Sequence, residues 1–347
     1  MSRQFLCTVG TSLKSNAERQ GRKGTDIADL TQFIREVGEV PASAETNSLS
    51  RIIRDGDQII FFYSETEEGR LCAEALSQYY NRKGIRATER AISGLSYAHE
   101  VFAMKGLRRL VDSLIDEIRL SRRMGTEPVI VATGGFKAEI AYATLVGLLF
   151  KVPVYYIHEI FKDVIEMPPV PVDWDYRLLA ECEEFFEWLQ EEIRRTEKVE
   201  KRLQNLPPEI RLFLIDDDEG YTWLSPAGEV YYRYYSEIKQ QAASVMISQQ
   251  ALKYYSDLSQ ERKEILDKTL RRLVIGGLRA ANSGQVHNSD CFVYPRGYRP
   301  ERIFYTEKDG VIYIYELALH EDNYEQLLKR GVYKRNYSKF EPFPVKL

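Results

Sequence analysis

Val131-Ala132-Thr133-Gly134-Gly135-Phe136-Lys137 closes a short apolar run, Pro128 to Ala132, and leads straight into a helical pattern over residues 137–150. The run is brief and β-branched, as a buried parallel strand requires. Ile140, Ala141, Thr144, Leu145 and Leu148 then recur at helical spacing. Gly134 and Gly135 let the backbone approach a ligand closely, while the free amides of the helix start and Lys137 supply positive character for a phosphate or a polar ribose edge. A bare strand-to-helix turn would use the same glycines, so the junction alone leaves both readings open. Gln4 to Val9 forms a second apolar run, and Thr8-Val9-Gly10-Thr11-Ser12 follows it with a glycine and three hydroxyls. Two such loops at the carboxyl ends of two strands are what a crevice at a topological switch point needs. Neither fits the dinucleotide fingerprint or the phosphate loop with Gly-Lys-Ser/Thr, which disfavours a dehydrogenase or an ATPase.

The first 170 residues alternate strand and helix patterns, as a parallel α/β sheet should. Gln58 to Tyr63 and Ala87 to Ile92 read as strands, Glu67 to Arg82 as a helix. A long amphipathic helix presents Leu107, Leu110, Val111, Leu114, Ile115 and Ile118 on one face. The pattern stops after Pro168, Pro169 and Pro171.

Thr8 to Ser12, Ala132 to Lys137, and Val152-Pro153-Val154-Tyr155-Tyr156-Ile157-His158-Glu159 together resemble the sensor domain of CRISPR-associated Rossmann-fold (CARF) proteins, over residues 1–175. The resemblance implies a homodimer that binds cyclic oligoadenylate, the alarm signal of type III CRISPR systems, across its axis. Carried over, Gly10, Thr11, Ser12, Thr133, Gly134, Gly135, Phe136 and Lys137 are the ligand contacts, and the two-fold site points to cyclic tetra-adenylate. Slow cleavage of that ligand by Ser12 or Lys137 is compatible with the same site.

Composition bounds the class. A chain of 347 residues with 44% hydrophobic and 29% charged residues has room for two or three globular domains. No apolar run approaches membrane-spanning length and no signal peptide opens the chain, so a cytoplasmic location is expected. Cys7, Cys72, Cys182 and Cys291 are widely spaced, which indicates buried small hydrophobes and neither disulfides nor zinc. No metal and no cofactor are expected. Residues 1–241 hold 31 Lys/Arg against 39 Asp/Glu, a balance of −8, whereas residues 242–347 hold 17 against 13, a balance of +4. The basic excess at the C-terminus is compatible with a nucleic-acid partner.

Residues 176–241 read as a connector. A charged helix is expected from Arg177 to Gln204, with Leu178, Cys182, Phe185, Leu189 and Ile193 as its stripe and the glutamates from Glu181 to Glu192 as a solvated face. Leu206 to Leu212, an acidic turn at Asp216 to Gly220 and a helix starting at Ser225-Pro226 resemble a small winged helix-turn-helix. Only Arg233 lies near a recognition helix, which favours a coupling element over a DNA reader.

Residues 242–347 begin with a strand at Val245 and a short helix. A second helix capped by Ser259 follows, burying Leu266, Leu270, Leu273 and Leu278. Three strands come next, Asp290 to Tyr294, Arg302 to Thr306 and Val311 to Leu319, the last two joined by Lys308-Asp309-Gly310 as an antiparallel hairpin. With Arg302-Ile303-Phe304-Tyr305 and His320-Glu321-Asp322-Asn323-Tyr324, this segment resembles the RelE toxins, small metal-independent ribonucleases that cut messenger RNA in the ribosomal A site. The resemblance makes Arg302 the stabiliser of the charged phosphorane, His320 the general acid and Tyr324 an orienting or proton-sharing group. Arg296, Arg299 and Arg279 are further phosphate contacts; members often carry lysines where Arg296 and Arg299 stand, which leaves the general base open. A helical HEPN ribonuclease is disfavoured, since Arg279 and His287 are seven residues apart in between and lead into strands.

The fold expected is therefore α/β and α+β multidomain: a Rossmann-like CARF domain, a winged-helix connector and a RelE-like α+β domain with an antiparallel sheet. The function expected is a cyclic oligoadenylate-activated, ribosome-dependent messenger RNA endoribonuclease. The alternative is a ligand-responsive winged-helix transcriptional regulator without nuclease activity.

Overall fold

The computed structural model describes residues 2–24, 26–95, 100–157, 163–169 and 177–345; His158 and Glu159 lie outside the described residues. The chain divides into two compact units, Met1–Tyr234 and Tyr235–Leu347.

In the first unit, β1 (Arg3–Val9), β2 (Gln58–Ser64), β3 (Arg86–Ile92), β4 (Glu127–Val131), β5 (Val154–Tyr156) and β6 (Ile165–Met167) form one sheet in the order β3-β2-β1-β4-β5-β6. All neighbours are parallel except β5 with β6. The chain leaves β1 toward β2 on one side and reaches β4 on the other, so the order reverses between β1 and β4. β1 alternates accordingly. Phe5, Cys7 and Val9 pack under α1 (Ser12–Arg19), α2 (Ile27–Val37), α3 (Glu39–Ala42), α4 (Ala44–Ile52) and α5 (Glu67–Arg82), whereas Leu6 faces α6 (Glu100–Arg123) and α7 (Lys137–Leu149). Covering on both faces explains the near-continuous apolar runs read as parallel strands.

The single helix expected over residues 177–204 is divided into α8 (Arg177–Glu181), α9 (Glu183–Glu191), β7 (Arg194–Arg195) and α10 (Thr196–Leu203). Cys182, Phe185 and Leu189 are buried as the stripe predicts, but Ile193 is 65% exposed. The helix stops there because Arg194 and Arg195 take extended backbone to pair with Thr222 and Tyr221. β8 (Leu214–Asp216) and β9 (Tyr221–Leu224) complete a small antiparallel sheet, order β7-β9-β8, ahead of α11 (Pro226–Gln240).

The second unit places β10 (Ser244–Ser248), α12 (Gln249–Asp257), α13 (Gln260–Leu273) and α14 (Gly276–Asn282) before β11 (Gly284–Gln285), β12 (Phe292–Tyr294), β13 (Glu301–Lys308), β14 (Val311–Leu319), α15 (Tyr324–Arg330) and β15 (Phe340–Pro342). Asp309 and Gly310 both take positive φ, as a two-residue hairpin turn demands. The sheet, order β11-β12-β13-β14-β10-β15, is mixed where an antiparallel one was expected. After β10 the chain crosses over through three helices and returns beside it on β14 in the same direction. Ser259 precedes α13 without a side-chain cap bond; Ser248 is the serine that caps, accepting from Ala251 N–H and donating to the Tyr315 carbonyl. All four cysteines are buried and none is joined in a disulfide. Among the described residues, no helix is long and apolar enough to cross a membrane.

Candidate functional site

The strands β1 and β4 run side by side, Cys7 opposite Val131, so their C-terminal loops emerge together at the switch point. The loops touch through backbone: a Cβ on Gly10 would stand 2.7 Å from the Gly135 nitrogen. Thr8 Oγ1 donates to the Gly134 carbonyl at 2.6 Å and ties one loop to the other. Gly10, Thr11, Ser12 and Thr133 to Lys137 are thereby brought to one crevice, with α7 starting at Lys137.

A buried carboxylate that sequence reasoning did not single out organises this crevice. Ser43 and Thr46 form a capping box that starts α4, and Glu45 in its first turn is 0% exposed. Its Oε1 accepts the Gly10 N–H at 2.8 Å and its Oε2 the Ser12 hydroxyl at 3.1 Å. Burial pushes its carboxyl above the ordinary range, opposed by those hydrogen bonds. Burial, and Glu45 itself, push the neighbouring Cys7 thiol up as well. Across the crevice Glu139, in the first turn of α7, is also buried. Gly135 takes φ +96°, and a Cβ there would run into the Glu139 carboxylate.

These contacts sort the expected ligand residues. The Gly10 amide and the Ser12 hydroxyl are committed to Glu45, and Thr133 Oγ1 accepts from Ser48 Oγ at 2.8 Å and Ile157 N–H at 3.2 Å. They shape the walls. Thr11, Phe136 (52% exposed) and Lys137 face solvent at the mouth, beside the start of α7. An exposed lysine and aromatic ring at a helix start suit a ligand that carries both phosphates and bases.

In the second unit, Arg302, His320 and Tyr324 are brought together. The His320 and Tyr324 rings lie 4.3 Å apart between centroids, and the Arg302 guanidinium stands 5.7 Å from the Tyr324 ring centre. Arg302 is 6% exposed and its donors go to the carbonyls of Gly297, Arg299 and Glu301. Tyr324 is buried against Phe304, while His320 is exposed and its backbone N–H donates to the Pro300 carbonyl. Arg296 is exposed and Arg299 half-buried in the same loop. Arg279 is not part of this group. It is 8% exposed and paired with Glu307, at the opposite end of β13 from Arg302, and with the Leu273 carbonyl. Among the described residues no group of three His, Cys, Asp or Glu is placed to hold a metal ion.

Residues 40–170 match a family model described as CRISPR-associated protein (Cas_APE2256). This stretch of the chain is similar to a CRISPR-associated family and contains Thr133 to Lys137 but not Gly10 to Ser12. Two solved structures are distantly similar. One is Can2 from Sulfobacillus thermosulfidooxidans in complex with cyclic tetra-adenylate, at 11% identity and TM-score 0.25, covering 69% of this chain and 66% of that one. The other is protein VC1899 from Vibrio cholerae, at 8% identity and TM-score 0.27, covering 92% and 77% respectively. The chain thus spans just under two thirds of the length of Can2.

Proposed function

We propose that the first unit is a CARF sensor, taking a cyclic oligoadenylate between β1 and β4. The second unit would then act as a metal-independent, RelE-type endoribonuclease of type III CRISPR antiviral defence, cutting messenger RNA in the ribosomal A site. The observation that carries this reading is the meeting of two glycine loops at the switch point, the second of them within the stretch similar to a CRISPR-associated family. A crevice at a reversal of strand order, walled by backbone and lined at its mouth by Lys137 and Phe136, accommodates a phosphate beside a base. A homodimer would pair two such crevices across its axis, matching the two-fold symmetry of cyclic tetra-adenylate.

In the second unit the 2′-oxygen attacks the adjacent phosphorus and the bond to the 5′-oxygen breaks, leaving a 2′,3′-cyclic phosphate and a 5′-hydroxyl. His320, exposed and steadied against the Tyr324 ring, protonates the departing 5′-oxygen. Arg296 and Arg299 meet the charge on the phosphate, and Arg302 fixes the loop that carries them. Guanidinium groups stay protonated, so the 2′-hydroxyl proton leaves to solvent water and not to an arginine. Placement of the nucleotide by the ribosome then supplies a share of the rate. The small sheet β7-β9-β8 with its flanking helices is read as a winged-helix connector that passes on the ligand-bound state.

Cleavage of ribosome-bound messenger RNA, measured with and without cyclic tetra-adenylate and beside naked RNA, tests the reading. Ligand-dependent cutting confined to engaged messages is expected; equal cutting of naked RNA in both conditions overturns it. A second reading, a ligand-responsive transcriptional regulator, draws on the same element order, helix, strand, helix, then a two-stranded wing. Substituting His320 and Tyr324 separates the two, because a regulator keeps its signalling output without them.

A further inference from the structure

Among the large apolar and aromatic side chains described, Tyr298 is the most exposed, and the other described tyrosines are buried or half-buried. It stands at the tip of the loop between β12 and β13, directly after Gly297, whose φ of +94° turns the backbone outward. Arg296 and Arg299 flank it. The loop is not slack. Arg302, buried at its base, donates to the carbonyls of Gly297 and Arg299 on either side of Tyr298, and the His320 N–H bonds the Pro300 carbonyl at 2.8 Å. The backbone that carries this exposed ring is thus held by a buried cation and tied to the His320–Tyr324 pair.

We propose that Tyr298 is a stacking platform for an unpaired RNA base, with Arg296 and Arg299 taking the phosphates on either side of that nucleotide. This rests on the reading of the second unit as a ribonuclease. Single-stranded RNA is recognised by splaying bases onto aromatic faces while cations track the backbone, and a loop whose backbone is already fixed spends less entropy on binding. A protein-docking anchor would sit among apolar neighbours that exclude water. Tyr298 instead stands between two arginines, with a glycine before it and a proline two residues on. The base held there lies beside the phosphate that reaches His320, so Tyr298 is a positioning residue that fixes which linkage is presented.

The test uses the full chain, cyclic tetra-adenylate and ribosomes carrying a defined message, with Y298A and Y298F beside the unaltered protein. Y298A is expected to lower kcat/KM for cleavage by roughly 10- to 100-fold, the range that loss of one base stack produces. Y298F is expected to restore most of it, because phenylalanine keeps the face and loses only the hydroxyl. Melting temperatures should coincide, since the ring packs against nothing. Equal cleavage by Y298A and the unaltered protein overturns the proposal. So does a loss as large in Y298F, which assigns a hydroxyl contact, or an equal loss of affinity for ribosomes without message, which assigns a docking surface on the ribosome itself. Absence of cleavage by the unaltered protein overturns the nuclease reading and this one with it, a result distinct from the others.

Discussion

The carboxylate of Glu45 occupies the space that a Cβ at Gly134 would fill. The acid and the glycine come from opposite sides of the switch point, one on α4 and one after β4, and each explains the other. Any side chain at position 134 would collide with Glu45 and also stand 2.7 Å from the Thr8 carbonyl, neither of which can withdraw. G134A is therefore expected to destabilise the protein by about 1–3 kcal/mol, the usual cost of overpacking a tight site. Urea melts of G134A against G125A check this, because a Cβ at Gly125 meets open space and brings only its left-handed backbone strain.

Glu45 also carries a pH signature. Burial raises its folded-state pKa above the ordinary value of 4.5, so the folded protein holds the proton more tightly than the unfolded chain. Stability then falls as pH rises from about that ordinary value through the raised one, and the penalty is fully present above it. E45Q keeps an acceptor for the Gly10 amide and removes the charge. Its stability is expected to lose that pH slope, measured by melts from pH 4 to 8. Cyclic tetra-adenylate should bind E45Q more tightly on the alkaline side of that slope, where the carboxylate of the unaltered protein is charged and opposes the phosphates. A weaker-binding E45Q would show that the carboxylate's shaping of the Ser12 loop outweighs its charge.

A half-buried acid joins α6 to α11. Asp112 is pushed up to about 7, first by burial and then by Glu229, with Arg233 and Arg108 opposing. Arg108 pairs with Glu229 at 2.9 Å and Arg233 with Asp112 at 3.3 Å, so two carboxylates share two cations. The sign is that of Glu45: stability declines as pH rises from about 3.8 through about 7. D112N is expected to flatten this part of the profile, and amide exchange along α11 at pH 5 and pH 8 should differ in the unaltered protein but not in the variant.

Arg302 offers a sharper test of the second unit. Three carbonyls, on Gly297, Arg299 and Glu301, receive its planar guanidinium, a geometry lysine cannot reproduce. R302K keeps the charge and loses the fan of donors. It is expected to behave nearly like R302A, with faster proteolysis and amide exchange over residues 296–301 and cleavage reduced at least tenfold. Retention of full order in R302K would instead make charge the whole of its role.

What could be read ahead of the structure was local, and what could not was contact between distant segments. Short β-branched runs at Gln4 to Val9 and Pro128 to Ala132 announce buried parallel strands, and Asp309-Gly310 announces its turn, because each rests on neighbours in the chain. The helix expected over 177–204 failed because Arg195 finds Tyr221, a strand partner 26 positions away that no periodicity displays. Glu45 escaped notice for the same reason: a glutamate in a helix's first turn reads as solvated until α4 is laid beneath Gly10. The reading of Arg302 was local too. Its place on a strand was legible, whereas the carbonyls that absorb its donors belong to a loop whose path depends on the folded sheet.

Arg279 shows how that distinction becomes a measurement. An arginine near a basic, strand-rich segment reads as a phosphate contact, yet its guanidinium makes two hydrogen bonds to Glu307, at 3.1 and 2.6 Å, and one to the Leu273 carbonyl at 2.9 Å. Glu307 lies five positions along extended β13 from Arg302, roughly 17 Å at the strand rise, beyond the reach of one phosphate. R279A leaves a buried carbonyl without its donor, and is expected to cost about 1–3 kcal/mol in melts. At a temperature where R279A is folded, its kcat/KM on ribosome-bound message should equal that of the unaltered protein, whereas H320A should lose at least 100-fold. A comparable catalytic loss in a folded R279A would return Arg279 to the RNA-contacting set and would mean that the Glu307 pair opens when substrate arrives.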